Sequence, residues 1–539
     1  MSESVEKPPQ TARAANLFSL LAAVAVVLAA LLLFVAGLFF TAQIRAEQYF
    51  GTLRVDWFPV SALVSLAAFA ALFVLIRLLC RLRITRGFNR IFGAAALTLV
   101  ALFGLAWVFS LRAEPTHDAG MVYDALKFLR LGTPESVSFT DPANVYRYYF
   151  VSYPFQFGFF AYLDAILAVV GHSHFLGALR GASVVLLVLA YLGLIRLARM
   201  LFEDERVVFV TILLLCACIP MVLYCAAAYS LIPSLFACVW GVYFVVTYLT
   251  GRKWWNMIPA ALFFALAVLL KPNAWIAVAA AAIALLLDAL RNKSWRSAVA
   301  VLCIVALALP LPSLAQRYYE SETGARYGKG YPLSSWVAMS MLQTDNTKGW
   351  YCNAYVEKIA KAYGEDMDAV GAHSEDVIRE RLAYFTANPS EAMDWYTEKF
   401  VTQWLEPTFQ SVWSVNGGMQ DMPRAKNALA ETLLGAPFAE GLSGYMRFEL
   451  ILLYGGFLLG AALLMRRRTE AQMILPLIVL GGVLYHLLFE AQSRYALSYL
   501  PLIAPVAAYG LVAIWPMRRR MSGPKPDSEE KTRQIEGGA

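Results

Sequence analysis

Arg90-Ile-Phe-Gly-Ala-Ala-Ala-Leu-Thr-Leu-Val-Ala-Leu-Phe-Gly-Leu-Ala-Trp-Val-Phe-Ser-Leu111, followed closely by Glu114-Pro-Thr-His-Asp118-Ala-Gly-Met-Val-Tyr123, decides what kind of molecule this is. The first stretch carries one charge, at its start, and is long enough for a membrane helix, which needs about 20 apolar residues. The second sets two carboxylates and a histidine at the mouth of that span. Ionisable groups at membrane depth are costly, so such a cluster is either a span ending in water or the edge of a site. From these residues alone the two readings stand level.

Working outward, the same apolar texture fills the chain. Hydrophobic residues make up 59%, charged residues 15%, and the mean hydropathy is +0.57. Soluble domains are nearer half apolar and a quarter charged, so this is an integral membrane protein of many helical spans. Apolar runs lie near 16–40, 58–80, 90–111, 154–171, 175–199, 207–227, 231–250, 257–270, 274–290, 298–315, 446–465, 473–489 and 496–516. The first is too long for the apolar part of a secretory signal and reads as a retained anchor. Six of the seven cysteines sit in or beside these runs, where Cys behaves as a small hydrophobe; Cys352 stands alone in a polar segment. No metal-type Cys spacing occurs, and neither a P-loop nor a dinucleotide glycine pattern appears between a strand and a helix.

The net charge of +7 is not a nucleic-acid signature, because the basic residues gather in short loops between spans. The loops at Arg77–Arg90, Arg196–Arg206, Arg252-Lys253, Arg291–Arg296, Arg466–Arg468 and Arg518–Arg520 should all be cytoplasmic by the positive-inside rule. That assignment holds if 154–171, which begins Tyr-Pro-Phe-Gln and carries Asp164, does not cross. Twelve spans then leave 112–175, Tyr229-Ser230, Lys271-Pro-Asn273, 316–445 and Glu490–Tyr495 together on the far, extracytoplasmic side. Within 316–445, residues 388–404 and 365–386 read as helices, and Trp336, Trp350, Trp395, Trp404 and Trp413 suit a core, a lipid interface or sugar stacking. Residues 521–539 have the composition of a disordered tail.

Three polar features on that side could carry chemistry. Asp118 can take a proton from an attacking hydroxyl or amide. Lys271, between two apolar runs, is either a snorkelling turn residue or a phosphate ligand. Arg494, in Glu490-Ala-Gln-Ser-Arg494-Tyr495, suits bidentate phosphate binding. Together the two cations would stabilise a leaving phosphate. His117, His172 and His174 are too few and too scattered to assign a metal, and an interfacial role suits them better.

These motifs, in order, resemble the GT-C membrane glycosyltransferases, in particular the protein mannosyltransferase and aminoarabinose transferase group (glycosyltransferase family 39-like). Asp118, Tyr123 and Ala125–Leu129 are similar to that group's first extracytoplasmic loop. Tyr153-Pro-Phe-Gln-Phe-Gly158, Gly171 with Leu179-Arg180-Gly-Ala-Ser183, Lys271-Pro272, and Ser493-Arg494-Tyr495 with Pro501 resemble later elements. Two spans precede the one leading into this loop, where many members have one. Asp118 is flanked by His117 and Ala119 instead of a second acid, which leaves that acid and any divalent metal open.

The resemblance implies an all-α polytopic protein: a GT-C-like bundle of about 12–13 transmembrane helices with a mainly helical extracytoplasmic loop domain. It implies an inverting transferase that moves a sugar from a polyprenyl-phosphate-linked donor to a glycan, lipid or protein acceptor in the cell envelope. Asp118 would be catalytic, with Lys271, Arg494, Tyr495, Glu114, His117 and Tyr123 binding substrate. No certain cofactor and no nucleic-acid partner are implied. The expected organisation is a cytoplasmic segment and three spans over 1–111, the catalytic loop with an interfacial helix over 112–175, a bundle over 176–315, the loop domain over 316–445, final spans over 446–516, and a cytoplasmic tail over 517–539. The expected location is a bacterial plasma membrane. The rival class is a transporter or flippase of lipid-linked saccharide, which would place charges along a mid-membrane path. A third reading, a glycan-binding surface protein, makes Asp118 dispensable.

Overall fold

The structure, a computed structural model, describes residues 10–46, 53–132, 138–141, 143–343, 347–352, 354–416, 424–466 and 468–514. The tail expected at 517–539 and the basic cluster at Arg518–Arg520 lie outside the described residues. The fold is all-α and polytopic. The first part holds α1 (Gln10–Phe39), a hairpin of β1 (Phe40–Ala46) and β2 (Leu53–Pro59), α2 (Ala62–Leu79), α3 (Arg86–Phe109) and α4 (His117–Leu131). Next come α5 (Val145–Ser152), α6 (Phe157–Val170), α7 (Phe175–Phe202), α8 (Glu205–Ala217), α9 (Ile219–Tyr224) and α10 (Leu231–Gly251). α11 (Met257–Leu270), α12 (Trp275–Asn292), α13 (Trp295–Ala308) and α14 (Leu311–Thr323) close the middle bundle. The polar insertion forms α15 (Leu333–Met341), α16 (Tyr355–Ala362), α17 (Met367–Ala387), α18 (Pro389–Trp404), α19 (Trp413–Asn416) and α20 (Ala428–Leu434). The chain ends through α21 (Ala436–Arg466), α22 (Glu470–Leu488), α23 (Ser493–Ala496) and α24 (Leu500–Ala513).

The thirteen apolar runs fall mainly on helices, 58–80 beginning on the second strand and 496–516 ending outside the described residues. Among the described residues ten helices are long and apolar enough to cross a membrane, or twelve if each of two bent pairs counts as one span. Local chemistry sets many of their ends. Ser61 and Thr85 cap α2 and α3 by accepting from backbone N–H groups three residues on, and Thr469 with Gln472 forms a capping box on α22. Asn388 precedes α18 with Pro389 in its first turn, and α17 starts two residues later than the sequence suggests because Asp366 caps it.

Three departures from the sequence reading have clear causes. The antiparallel hairpin was not foreseen, and its β2 takes residues 53–59, so α2 begins only at Ala62. It is held by the insertion: Ala42 N donates to the carbonyl of Leu405, just after α18, at 3.1 Å, and Thr347 Oγ1, between α15 and α16, accepts from Val55 N at 2.8 Å. The run 207–227 is broken at Cys218-Ile219 by Pro220 and bends by 54°. The run 154–171 turns 99° from α5 at Tyr153-Pro154.

After that turn α6 packs on the end of α11 that leads to Lys271. A Cβ on Gly158 would lie 1.7 Å from the Leu269 carbonyl oxygen, so only glycine allows this approach. Farther along α6, Asp164 is paired by Arg130 at 2.5 Å and Tyr319 at 2.9 Å, and Arg130 also reaches Glu322 at 2.8 Å. The boundaries expected at 316 and 445 fall inside α14 and α21, which run on from the bundle into the polar insertion. Within that insertion one core gathers Tyr331, Met339, Cys352, Val356 and Val370, and a second gathers Met341, Phe385 and Trp395.

Candidate active site

Asp118 lies in the first turn of α4, where the helix N-terminus favours a negative charge. Pro115 cannot continue a helix backwards, so Glu114 falls outside α4 and does not share a face with Asp118. Glu114 instead pairs with Lys127 at 3.0 Å. Tyr123 stacks on Phe175 at 5.2 Å, with Lys127 over its ring. Burial, with Glu114 and Asp124 nearby, pushes the Tyr123 hydroxyl up to about 12. His117 has a left-handed backbone (φ 54°), and its ring stacks on Trp413 at 4.5 Å.

Asp118 Oδ1 accepts from Tyr149 Oη at 3.2 Å, and its Oδ2 is 3.7 Å from Arg494 Nη2. Arg494 is 12% exposed and Asp118 38%, so the carboxylate opens outward while the guanidinium is enclosed. The buried Arg494 Nε has no hydrogen-bond partner among the described residues. Lys271 ends α11 in extended conformation and lies over two aromatic faces, Tyr229 at 5.2 Å and Tyr495 at 5.6 Å. Arg494 lies over Tyr495 as well, at 5.4 Å. Burial and then the Arg494 charge pull the Lys271 ammonium down to about 8. The pair is thus a cationic corner with capacity to spare, built on segments more than 200 residues apart.

The structure adds residues that the sequence reading did not select. Gln156 Nε2 donates to Tyr149 Oη at 3.2 Å and Tyr229 Oη at 2.8 Å, tying the elbow after α5 to the Lys271 wall. Glu490 is held by Gln492 at 2.6 Å; burial, opposed by Arg494 and reinforced by Asp118, pushes its carboxyl up to about 7. From the insertion, Glu357 Oε1 accepts from Tyr153 Oη at 2.9 Å and Tyr351 Oη at 3.0 Å. A second acid near Asp118 therefore exists, but it comes from the far end of the chain. Glu490 stood within a quoted motif; nothing in the sequence marked Glu357, because its relevance depends on how the insertion folds back.

No three His, Cys, Asp or Glu side chains among the described residues are grouped to hold a metal ion. The described residues do not fit a divalent metal centre. The chemistry available is that of one open carboxylate, two enclosed cations and a tyrosine-rich wall.

Residues 157–315 match the model of the dolichyl-phosphate-mannose-protein mannosyltransferase family. The resemblance to the GT-C superfamily is thereby borne out: the chain carries a membrane glycosyltransferase domain of that superfamily. Among solved structures, the chain is similar to the archaeal oligosaccharyltransferase AglB from Archaeoglobus fulgidus in complex with an inhibitory peptide and a dolichol-phosphate. Identity is 13% over 78% of this chain and 50% of that one, with a TM-score of 0.38. The apo form of the Archaeoglobus fulgidus oligosaccharyltransferase gives 13% identity over the same shares and a TM-score of 0.40. The chain spans half the length of those proteins. No curated protein matches it in sequence.

Proposed function

We propose, from the GT-C glycosyltransferase domain that residues 157–315 carry, that this protein transfers a sugar from a polyprenyl-phosphate-linked donor to an acceptor outside the cytoplasm. The observation that carries the reading is the meeting of Asp118, Arg494 and Lys271, from three distant parts of the chain, at one end of the bundle. The donor for which that family is named, a dolichyl-phosphate sugar, has the chemistry such a corner suits.

In this reading the donor phosphate lies between Arg494 and Lys271. Its charge competes with Asp118 for the guanidinium, and the 3.7 Å separation is loose enough to yield. The acceptor oxygen then attacks the anomeric carbon on the face opposite the phosphate. The C–O bond to phosphate breaks with its electron pair, and the acceptor proton passes to the Asp118 carboxylate. The charge left on the lipid phosphate is held by the two cations. Inversion follows from a single displacement. Tyr149 and Gln156 orient Asp118, while the insertion covers the site and selects the acceptor, a hydroxyl-bearing glycan, lipid or protein.

The same reading places this end of the bundle outside the cytoplasm, with α6 lying along it, in a plasma membrane. The basic loops at the opposite ends of the helices support that orientation. A transporter would need charges spread along a mid-membrane path, whereas these groups gather at helix ends.

Membranes containing the wild type should transfer label from a polyprenyl-phosphate-sugar pool, and Asp118→Asn should not, with normal insertion. Full transfer by that variant would sink the catalytic assignment. For orientation, Lys329→Cys is exposed and avoids the left-handed backbone of Gly328 (φ 72°). It should react with an impermeant thiol reagent in intact cells; labelling only after lysis would reverse the topology.

A further inference from the structure

The two reacting helix starts are held by one stretch of the insertion, residues 406–416. At one end of it, the Glu406 side chain is 1% exposed and fully engaged. Its Oε1 accepts from Thr408 N and Oγ1 at 2.8 and 2.6 Å; its Oε2 accepts from Gln410 N at 2.9 Å and Ser493 Oγ at 2.8 Å. Ser493 is fully buried and directly precedes Arg494. At the other end, Ser414 O accepts from Thr116 Oγ1 at 2.9 Å, and Trp413 stacks on His117. Thr116 and His117 directly precede Asp118.

The stretch is costly to fold. Phe409 and Gln410 are consecutive non-glycine residues in the left-handed region (φ 48° and 56°), and His117, on the partner helix, is a third (φ 54°). Such conformations are disfavoured for residues with a Cβ and persist only where the surroundings over-determine them. The end of α22 and the linker from it to Arg494 are further pinned to the insertion: Lys399 Nζ donates to Leu487 O at 2.9 Å, Ser340 Oγ to Leu488 O at 2.7 Å, and Ala491 N to Gly349 O at 2.8 Å.

We infer that residues 406–416 are a positioning strap that sets the separation of Asp118 and Arg494, with Ser493 and Trp413 as its two positioning contacts. The inference rests on the reading of Asp118 as proton acceptor and Arg494 as phosphate ligand. It makes the insertion part of the reaction geometry and not merely a cover. Ser493 acts through Arg494, so its loss weakens hold on the phosphate. Trp413 acts through His117, so its loss misplaces the carboxylate, and shifts of about 1 Å at a reacting group cost up to about a hundredfold in rate.

The test uses the full-length chain in membranes with a labelled polyprenyl-phosphate-sugar, and the purified protein with a C55 polyprenyl phosphate as binding probe. Ser493→Ala should raise the KM for donor and weaken probe binding about tenfold, and Ser493→Thr, which keeps the hydroxyl, should restore both. Trp413→Ala should lower kcat about tenfold with the donor KM kept, and Trp413→Phe should restore it. A loss that only tracks the amount of folded protein, with wild-type KM and probe affinity in Ser493→Ala and wild-type kcat per folded molecule in Trp413→Ala, overturns the strap. Arg494→Ala separates the two ideas. If it loses the probe while Ser493→Ala and Trp413→Ala behave as wild type, the phosphate reading stands and the strap falls. If it binds and transfers like wild type, the phosphate reading falls and the strap with it.

Discussion

Two charged clusters sit at opposite ends of the same helices, and they are built differently. At the basic-loop end, Asp288 is 1% exposed and saturated: Arg252 Nη1 at 2.7 Å, Asn292 Nδ2 at 2.7 Å and Ser297 Oγ at 2.6 Å all donate to it. At the other end, Arg494 has one loose partner at 3.7 Å and a buried Nε with none among the described residues, while Lys271 rests on aromatic faces. Buried polar groups are normally satisfied, and leaving one unmade costs about 1–3 kcal/mol. The first cluster is therefore an architectural lock. The second carries charge its own fold does not neutralise, which is what a site for an anionic ligand requires.

The largest effects should fall on the unsaturated cluster. Asp118→Asn should reduce transfer by about 10²–10⁴-fold, the range for losing a positioned base, with unchanged thermal stability; a single-turnover assay checks it. Arg494→Ala should cost about 10²–10³-fold, chiefly at the step in which charge develops on phosphate. A matching loss of folded protein would instead make this cluster a lock like the other.

At the saturated cluster the pattern should invert. Asp288→Ala should lower stability by about 1–3 kcal/mol, because Asn292 and Ser297 lose their acceptor while the half-exposed Arg252 returns to water. Transfer per folded molecule should stay at wild type; a changed KM would break the comparison. The smallest effect concerns pH. With Lys271 lowered to about 8, the free protein loses that charge as pH rises through 8, so donor KM should rise there. Lys271→Arg, charged throughout, should flatten that rise; an unaltered profile would assign it to another group.

All three principal site groups stood out in the sequence, Asp118 because a carboxylate at the mouth of an apolar span asks for a reason. Lys271 and Arg494 were visible because cations between apolar runs demand an explanation. Glu114 and Tyr123 looked equally suitable in line, yet their partners are Lys127 and Phe175, because Pro115 starts α4 too late for Glu114 to join it. Tyr149 and Glu357 gave no signal, and Gln156 stood only as one letter of a quoted motif, since tyrosine and glutamine at an elbow, or an acid on a polar helix, are unremarkable until a neighbour arrives. The hairpin at 40–59 escaped for a similar reason: its strands are short, and its hydrogen-bonded partners, Leu405 and Thr347, lie 364 and 292 residues along the chain from Thr41 and Val55.

The sequence by itself determined the class of molecule, the places of its spans and the ends at which charge gathers. Those follow from transfer free energies, which act residue by residue along a window about one membrane thick. Tertiary structure alone decided which carboxylate faces which cation, where the broken helices bend, and that one strained stretch of the insertion touches the residues beside both Asp118 and Arg494. A hydrogen bond discriminates over fractions of an ångström between groups hundreds of positions apart, and no local pattern in a chain encodes that distance.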